Sequence, residues 1–581
     1  MYGGTNVKHE PNRKLILQSI RGTWLLVVFL FIAFLPTYIV PVIRVRFTQN
    51  IISSITDNQS YETVATYIVL FVLSYIILFL VSPITGIISS HIRYGITNNA
   101  YSRIFKSVAA ADLKELDNVD YLVKIKRACM TADSIIYSQI ESIIKFGTSI
   151  VSFAYLLCLI KEINLVYIAL FTVMAIIQNV YIWKMTKETI QLSKYVDRAG
   201  RKHDYFLSLL QSREYAKEIR SYKLHDWLER KRHDAYRDKS NEHLKLNKKW
   251  ALKSGVWSAV MYLLEGINIV YSFYLYSNNY ITISKFISLV QIQIQFLSTV
   301  GLCFSILSTL KQNKAYFDDY RFIIQSVHAQ QSEAEWDAQT GHSENVAEVR
   351  GLSYSYREGN TVLEDITLNI RRGESIAILG ENGSGKSTLA KILCSLLKSY
   401  TGSLIVYDKN VSAVFQDYAK FSFTLKENIG FGNIERIDDT TAIEKVLIKC
   451  GMGKHLETLP NGIHTYMGKE FLKNGTDIST GQWQKVSIGR GLYADADLII
   501  FDEPTAALDP IAEYEQFKFI KECLSDKTTV LISHRIGLTK LVDKIVFLKD
   551  GRIIEYGTHN DLMAKKGVYY NFYNCQAQWY E

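Results

Sequence analysis

Apolar residues gather into long runs before residue 310 and into short, separated runs after residue 346. The long runs are Trp24–Ile43, Val64–Ser89, Ile144–Leu159, Leu165–Trp183, Val256–Tyr276 and Phe286–Leu310. Most approach the ~20 residues that cross a ~30 Å hydrocarbon layer, so each predicts a membrane-spanning helix. The third is short and draws residues from its flanks. The first is a poor signal peptide: it lacks a small-residue cleavage pattern, holds Pro41, and is followed by Arg44 and Arg46.

The links between runs are unequal. Short links join the first run to the second, the third to the fourth and the fifth to the sixth, whereas residues 90–143 and 184–255 form two long links. Most of the Lys and Arg of this half lie in the long links, among them Arg198, Arg201, Lys217, Arg220, Arg230, Lys245 and Lys249. That bias places both long links and both termini on the cytoplasmic side. Residues 185–250 hold no proline and one glycine, Gly200, so the link reads as helix that continues the membrane helices outward as rods. Short transverse helices are expected at the far tips, within Asp112–Asp120 and Ser212–Tyr222.

After residue 346 the pattern changes. Short β-rich runs (Ser375–Leu379, Leu498–Phe501, Thr529–Ile532) alternate with helical stretches, which predicts an α/β domain with a largely parallel sheet. The expected division is a transmembrane domain at 1–327, a polar linker at 328–345 and an α/β domain at 346–581.

Composition fits two unlike parts. A mean hydropathy of +0.03 is high for a soluble chain and low for one made only of membrane helices. With 48% hydrophobic and 21% charged residues, wholesale disorder is excluded. The 7 cysteines show no CxxC pair, which argues against a disulfide framework and a zinc site. The net charge of +9 follows from the basic links. Their bases alternate with acids along helical sequence, so no nucleic-acid partner is expected.

The sharpest motif runs Gly380, Glu381, Asn382, Gly383, Ser384, Gly385, Lys386, Ser387, Thr388. It follows a β-rich run and opens a helix, the pattern of a phosphate-binding loop. Glycines let backbone N–H groups turn inward, and the helix start adds positive potential. Lys386 is expected on the β- and γ-phosphates and Ser387 on Mg²⁺. Downstream, an apolar strand ends in Asp502 and Glu503. Asp502 is the candidate metal ligand and Glu503 the candidate general base for an attacking water. Between them, Ser479 and Gln482 have capping-box spacing. A capped helix start that faces outward also offers a second phosphate site.

These motifs carry a resemblance. The second half resembles the nucleotide-binding domain of an ABC transporter, and the whole chain resembles a half-size ABC exporter. The implied fold is an α-helical six-helix transmembrane domain followed by an α/β P-loop nucleotide-binding domain. The implied cofactors are ATP and Mg²⁺. Tyr356 matches the aromatic that stacks on adenine, and Gln416 the Q-loop glutamine that touches Mg²⁺. Ser479, Gly481 and Gln482 match the signature that caps a partner's γ-phosphate. Asp509 matches the D-loop and His534 the switch histidine. Three features depart from the family. Thr480 stands where glycine is usual, the segment from Lys386 to Gln416 is short, which implies a trimmed antiparallel β-subdomain, and Lys469 replaces a usual acid.

The resemblance implies a homodimer, or one chain of a heterodimer, embedded in lipid and expected in a bacterial cytoplasmic membrane. In the membrane half, Glu265 lies midway along the fifth run, where an ionisable group is costly. Gln291 and Gln295 share one face of the sixth run, with Gln293 nearly opposite. Together they mark a candidate substrate site. An exported peptide or amphipathic small molecule fits amides, phenols and one acid better than a bare hydrocarbon does. Lipid or drug export is the alternative, with an importer or an ATP-gated channel behind it.

Overall fold

The computed structural model describes residues 22–161, 165–212, 215–331, 344–357, 359–407, 411–470, 472–503, 518, 520, 522 and 527–578. Most of the expected linker, and Asp509, lie outside them. The chain forms two compact units. One comprises residues up to Ala110 together with Asp120–Ala329, and the other comprises Ala111–Val119 with Gln330 onward.

The first unit is built from long helices. They are Trp24–Thr56, Tyr61–Ala110, Val119–Met130 continuing through a π-helical turn (Thr131–Ile135) into Ile136–Lys161, Leu165–Gln211, His225–Ser277 and Ile283–Gln331. Among the described residues, five helical stretches are long and apolar enough to cross a membrane: Trp24–Thr56, Tyr61–Ala110, Val119–Leu159, His243–Ser277 and Ile283–Gln325. The expected fourth run lies within Leu165–Gln211. The apolar runs mark only part of each helix, because polar helix formers extend them as rods. Asn58 (φ 50°) and Asn279 (φ 58°) end the first and fifth helices in the left-handed region that asparagine tolerates. A short helix, Ala216–Ser221, sits at the second expected tip.

Side chains in this unit sort by solvent. Ile92, Ile96, Ala100 and Ile104 repeat every four residues along the second helix and are buried. Phe79, Leu263 and Val270 are exposed, as expected where hydrocarbon is the solvent. The third helix is tied to the sixth near the π-helical turn. Thr131 Oγ1 donates to the carbonyl of Tyr316 at 3.1 Å, and Arg127 pairs with Asp319 at 3.1 Å.

The second unit holds two sheets. β1 (Asn345–Arg357), β2 (Asn360–Arg371) and β4 (Thr401–Val406) form an antiparallel sheet in the order β2-β1-β4. This is the subdomain that the short Lys386–Gln416 segment led us to expect in trimmed form. The larger sheet runs β5-β6-β7-β3-β8-β9. Its strands are β3 (Ser375–Gly380), β5 (Val411–Val414), β6 (Leu498–Asp502), β7 (Thr528–Ser533), β8 (Lys544–Lys549) and β9 (Arg552–Gly557). All neighbours are parallel except β8 and β9. Both faces are covered. Ile376 and Ile378 point into a core with Leu389, Ile392, Leu498 and Ile500, while Ala377 and Leu379 point into another with Ile499, Phe501 and Phe547. That period-two alternation explains why the β3 run is apolar throughout.

Ala111–Val119 joins this second unit through local chemistry. The Leu113 amide donates to the Leu396 carbonyl at 3.2 Å. Asp112, 5% exposed, caps the helix Leu113–Leu116 by accepting from the Lys114 amide, and also accepts from the Lys398 amide at 3.2 Å. Lys114 Nζ donates to the Ser355 carbonyl at 3.3 Å.

Candidate active site

Parallel pairing brings the chemistry to one edge. In register, Leu379 of β3 lies beside Ser533 of β7, Phe501 of β6 beside Leu531 of β7, and Val414 of β5 beside Phe501. The residues just past these strand ends are therefore neighbours: the loop after Gly380, Gln416, Asp502 with Glu503, and His534. Ligands of open parallel sheets bind at this carboxyl edge.

The glycine loop is dictated by crowding. A Cβ at Gly380 would lie 2.1 Å from the Leu548 carbonyl oxygen. Gly385, the N-cap of the helix Lys386–Leu393, has φ 102°, and a Cβ there would meet Leu363 Cδ2 at 2.6 Å. Neither position admits another residue without a shift in its neighbours. Glu381, Asn382 and Gly383 are exposed. Ser384 is buried, and its hydroxyl has no hydrogen-bond partner among the described residues. An unmatched buried hydroxyl inside a phosphate loop suits an anion that brings acceptors.

Lys386 is 5% exposed and donates to the carbonyls of Gly380 and Glu381 at 3.0 and 2.9 Å. Burial pulls its pKa down, against the opposing pull of Glu503 and Asp502. Thr388 lies 3.3 Å from the Tyr356 hydroxyl, and Tyr356 stands edge-on to Tyr354 at 5.0 Å.

Ser387 Oγ donates to Asp502 Oδ1 at 3.1 Å. Burial raises the Asp502 pKa and Glu503 adds to the rise, while the Ser387 bond opposes it. Among the described residues no cluster of three or more His, Cys, Asp or Glu could cage a metal. One buried carboxylate beside a hydroxyl instead suits Mg²⁺, which takes few protein oxygens and keeps phosphate and water ligands.

Glu503 has φ 48°, a conformation that costs a non-glycine residue about 1–2 kcal/mol. Its amide donates to the Ile532 carbonyl at 3.0 Å, which holds it against β7. His534 Nδ1 lies 2.9 Å from Glu503 Oε1. The acid side chain is 16% exposed and the histidine 37%, so the pair is reachable but not loose. Gln416 is exposed in the turn after β5.

The helix Thr480–Tyr493 starts in a full capping box: Ser479 Oγ accepts from the Gln482 amide, and Gln482 Oε1 accepts from the Ser479 amide. Ser479, Thr480 and Gly481 are exposed. The Tyr418 hydroxyl donates to the Thr480 carbonyl at 2.9 Å. No described hydrogen bond joins residues 479–482 to the glycine loop of the same chain.

One organising residue escaped the sequence reading. Arg490 donates to the carbonyls of Asn428 and Ala419 at 2.8 and 2.7 Å, pinning the segment after Gln416 to the capped helix. Burial lowers its pKa to about 10. Its signal is modest: an arginine in a stretch that also buries Val486, Ile488 and Tyr493.

In the membrane half, Gln293 is buried and donates to the Glu265 backbone carbonyl at 3.1 Å. Gln291, Gln295 and Glu265 are half-buried. Asn268, one turn from Glu265, is buried and donates to the sulfur of Met174 at 3.3 Å.

Known proteins resemble this chain over part or nearly all of its length. A family model described as "ABC transporter" matches residues 363–506. The subtilin transport ATP-binding protein SpaT of Bacillus subtilis is 27% identical over 563 residues, covering 92% of this chain and 89% of that protein. The nisin transport ATP-binding protein NisT of Lactococcus lactis subsp. lactis is 36% identical over 239 residues, 39% of this chain and 40% of its own length. An ATP-dependent lipid A-core flippase of Bordetella avium (strain 197N) is 31% identical over 242 residues, again 39% and 40%. With these last two, the chain shares only two-fifths of their length. A solved structure of a bacterial Atm1-family ABC exporter with ATP bound superposes with a TM-score of 0.72 at 18% identity, covering 97% of this chain and 99% of that one.

Proposed function

We propose that this chain is an ABC transporter of the half-size exporter type, an ATPase that drives export across a membrane, working as a homodimer in a bacterial cytoplasmic membrane with both termini in the cytoplasm. The supporting observation is the meeting of the glycine loop, the Ser387–Asp502 pair and the Glu503–His534 pair at one sheet edge. The basic long links support the orientation.

Each part of the edge has a task. Residues 380–388 cradle the phosphates of ATP, with Lys386 leaving its own loop carbonyls for the β- and γ-phosphates. Tyr356, held against Thr388, takes the adenine ring. Ser387, Asp502 and Gln416 would hold Mg²⁺, which when bound supplies positive charge beside the phosphates. Glu503 accepts the proton of the attacking water, and His534 orients the Glu503 carboxylate while contacting the γ-phosphate. The strained backbone at Glu503 fixes where that carboxylate stands. Asp509 would act from the D-loop.

Closure needs a second copy. The helix start at Ser479, Gly481 and Gln482, exposed at its first two, suits the γ-phosphate on another protomer. ATP then joins two protomers and hydrolysis separates them, and the long helices carry that change into the membrane. Glu503→Gln is expected to bind Mg-ATP and to accumulate as a nucleotide-bound dimer, seen by size-exclusion chromatography in detergent. Wild-type turnover in this variant would remove Glu503 from its role, and a dimer that forms only with a different subunit would replace the homodimer.

For cargo, we favour a peptide or amphipathic small molecule at Glu265, Gln291 and Gln295. One relative that matches over 92% of this chain is named for subtilin transport, whereas the lipid A-core flippase matches over 39% of it. Subtilin-like molecules are therefore the first to test for stimulation of ATPase in nanodiscs. Glu265→Gln is expected to shift the concentration dependence of that stimulation, and an unchanged curve would move the cargo site elsewhere.

A further inference from the structure

The C-terminal helix, Val568–Ala577, lies beyond the residues matched by the family model. Tyr569 is fully buried, and Phe572 and Tyr573 pack against the core that holds Phe501, Leu531 and Phe547. Positions 569, 572, 573 and 576 share one helical face. Gln576 thus continues the core-facing stripe, and it is an amide where the stripe calls for an apolar residue.

Both ends of that amide are used. Gln576 Oε1 accepts from the Ile536 amide at 3.1 Å, and Nε2 donates to the His534 carbonyl at 2.7 Å. The two bonds straddle Arg535 and fix the peptide that carries His534, whose ring meets Glu503 at 2.9 Å. If helix packing were the only need, an apolar side chain would serve without requiring two polar matches. Two other side-chain holds on this loop, Ser533 Oγ on the Arg535 amide and Thr539 Oγ1 on the Ile536 carbonyl, do not reach His534.

We propose that Gln576 is a positioning residue for ATP hydrolysis, acting through the His534 backbone to aim the imidazole at Glu503 and the γ-phosphate. The C-terminal helix is then part of the hydrolytic apparatus. The inference rests on the role given to His534.

The test compares kcat and KM for Mg-ATP in full-length Gln576→Leu, Gln576→Glu and His534→Ala in nanodiscs. Gln576→Leu removes both bonds and is expected to lower kcat roughly five- to tenfold, the equivalent of one to two net hydrogen bonds, with little change in KM. Gln576→Glu keeps shape and the acceptor. Its carboxylate can still accept from the Ile536 amide but cannot donate to the His534 carbonyl. Its kcat is therefore expected to fall at least as far as that of the Leu variant, again with little change in KM. Wild-type kcat in either variant overturns the proposal while leaving the ATPase reading intact. Undiminished turnover in His534→Ala overturns both.

Discussion

Gly481→Ala separates what a protomer needs from what a pair of protomers needs. Gly481 is the second residue of the helix Thr480–Tyr493, and a Cβ built there meets nothing within 4 Å. It also lacks the positive φ that would demand glycine. Alanine in a helix is favoured over glycine by about 0.5–1 kcal/mol, and less in the first turn, so the fold should gain between zero and about 1 kcal/mol. In a domain of this size that corresponds to a rise of up to about 2–4 °C in Tm. The proposed closure of each site by a second protomer predicts the opposite for activity. A methyl group where a partner's γ-phosphate must touch backbone amides should cut kcat/KM at least about tenfold, a loss of about 1.4 kcal/mol of transition-state binding. The assay pairs a thermal melt of the nucleotide-free protein with steady-state Mg-ATP hydrolysis in nanodiscs. Unchanged Tm with unchanged kcat/KM would refute the reasoning, because the exposed helix start would then touch no nucleotide.

Three further outcomes follow from the geometry. Burial raises the Asp502 pKa, so its contribution to folding is fully present below the unfolded value of 3.8 and is lost as pH rises through the folded value. Asp502→Asn keeps the acceptor for Ser387 and should raise the Tm of nucleotide-free protein at pH 7.5 while abolishing hydrolysis; a lower Tm contradicts this. Burial lowers the His559 pKa below 6.5, so its contribution is present above that value and is lost as pH falls through the folded pKa. The Tm should fall from pH 7 to pH 5.5, and by less in His559→Gln. Asp112→Ala removes a helix cap worth about 1 kcal/mol and the bond to Lys398. It should reduce cargo-stimulated ATPase more than ATP affinity, and equal loss of both would count against it.

The motifs proposed to carry the chemistry were legible because their spacing is local. Gly380 to Thr388 is one continuous loop, and Ser479 with Gln482 is one helical turn. The strands were legible because a sheet covered on both faces must be apolar along its buried run, as Leu498–Phe501 is. Helix lengths were not. Hydropathy marked Val256–Tyr276, while the helix runs His225–Ser277, since helix propensity and not apolarity carries the rod. Arg490 and Gln576 were also hidden. Their partners are backbone carbonyls of distant loops, and a carbonyl has no residue identity to pair with in a sequence. The particular partner of Asp112, the Lys398 amide, was hidden for a like reason, since a backbone N–H has no residue identity either.

That docking has a consequence during synthesis. Asp112 and Lys398 are 286 positions apart, and Lys114 and Ser355 are 241 apart. At about 5–20 residues per second, the ribosome delivers Lys398 roughly 15–60 s after Asp112 leaves the peptidyl-transferase centre. Through most of that interval the hairpin tip between the second and third helices has no Leu396, Lys398 or Ser355 to bind. It must wait, uncapped on its far side and open to proteases, until the last third of the chain is translated.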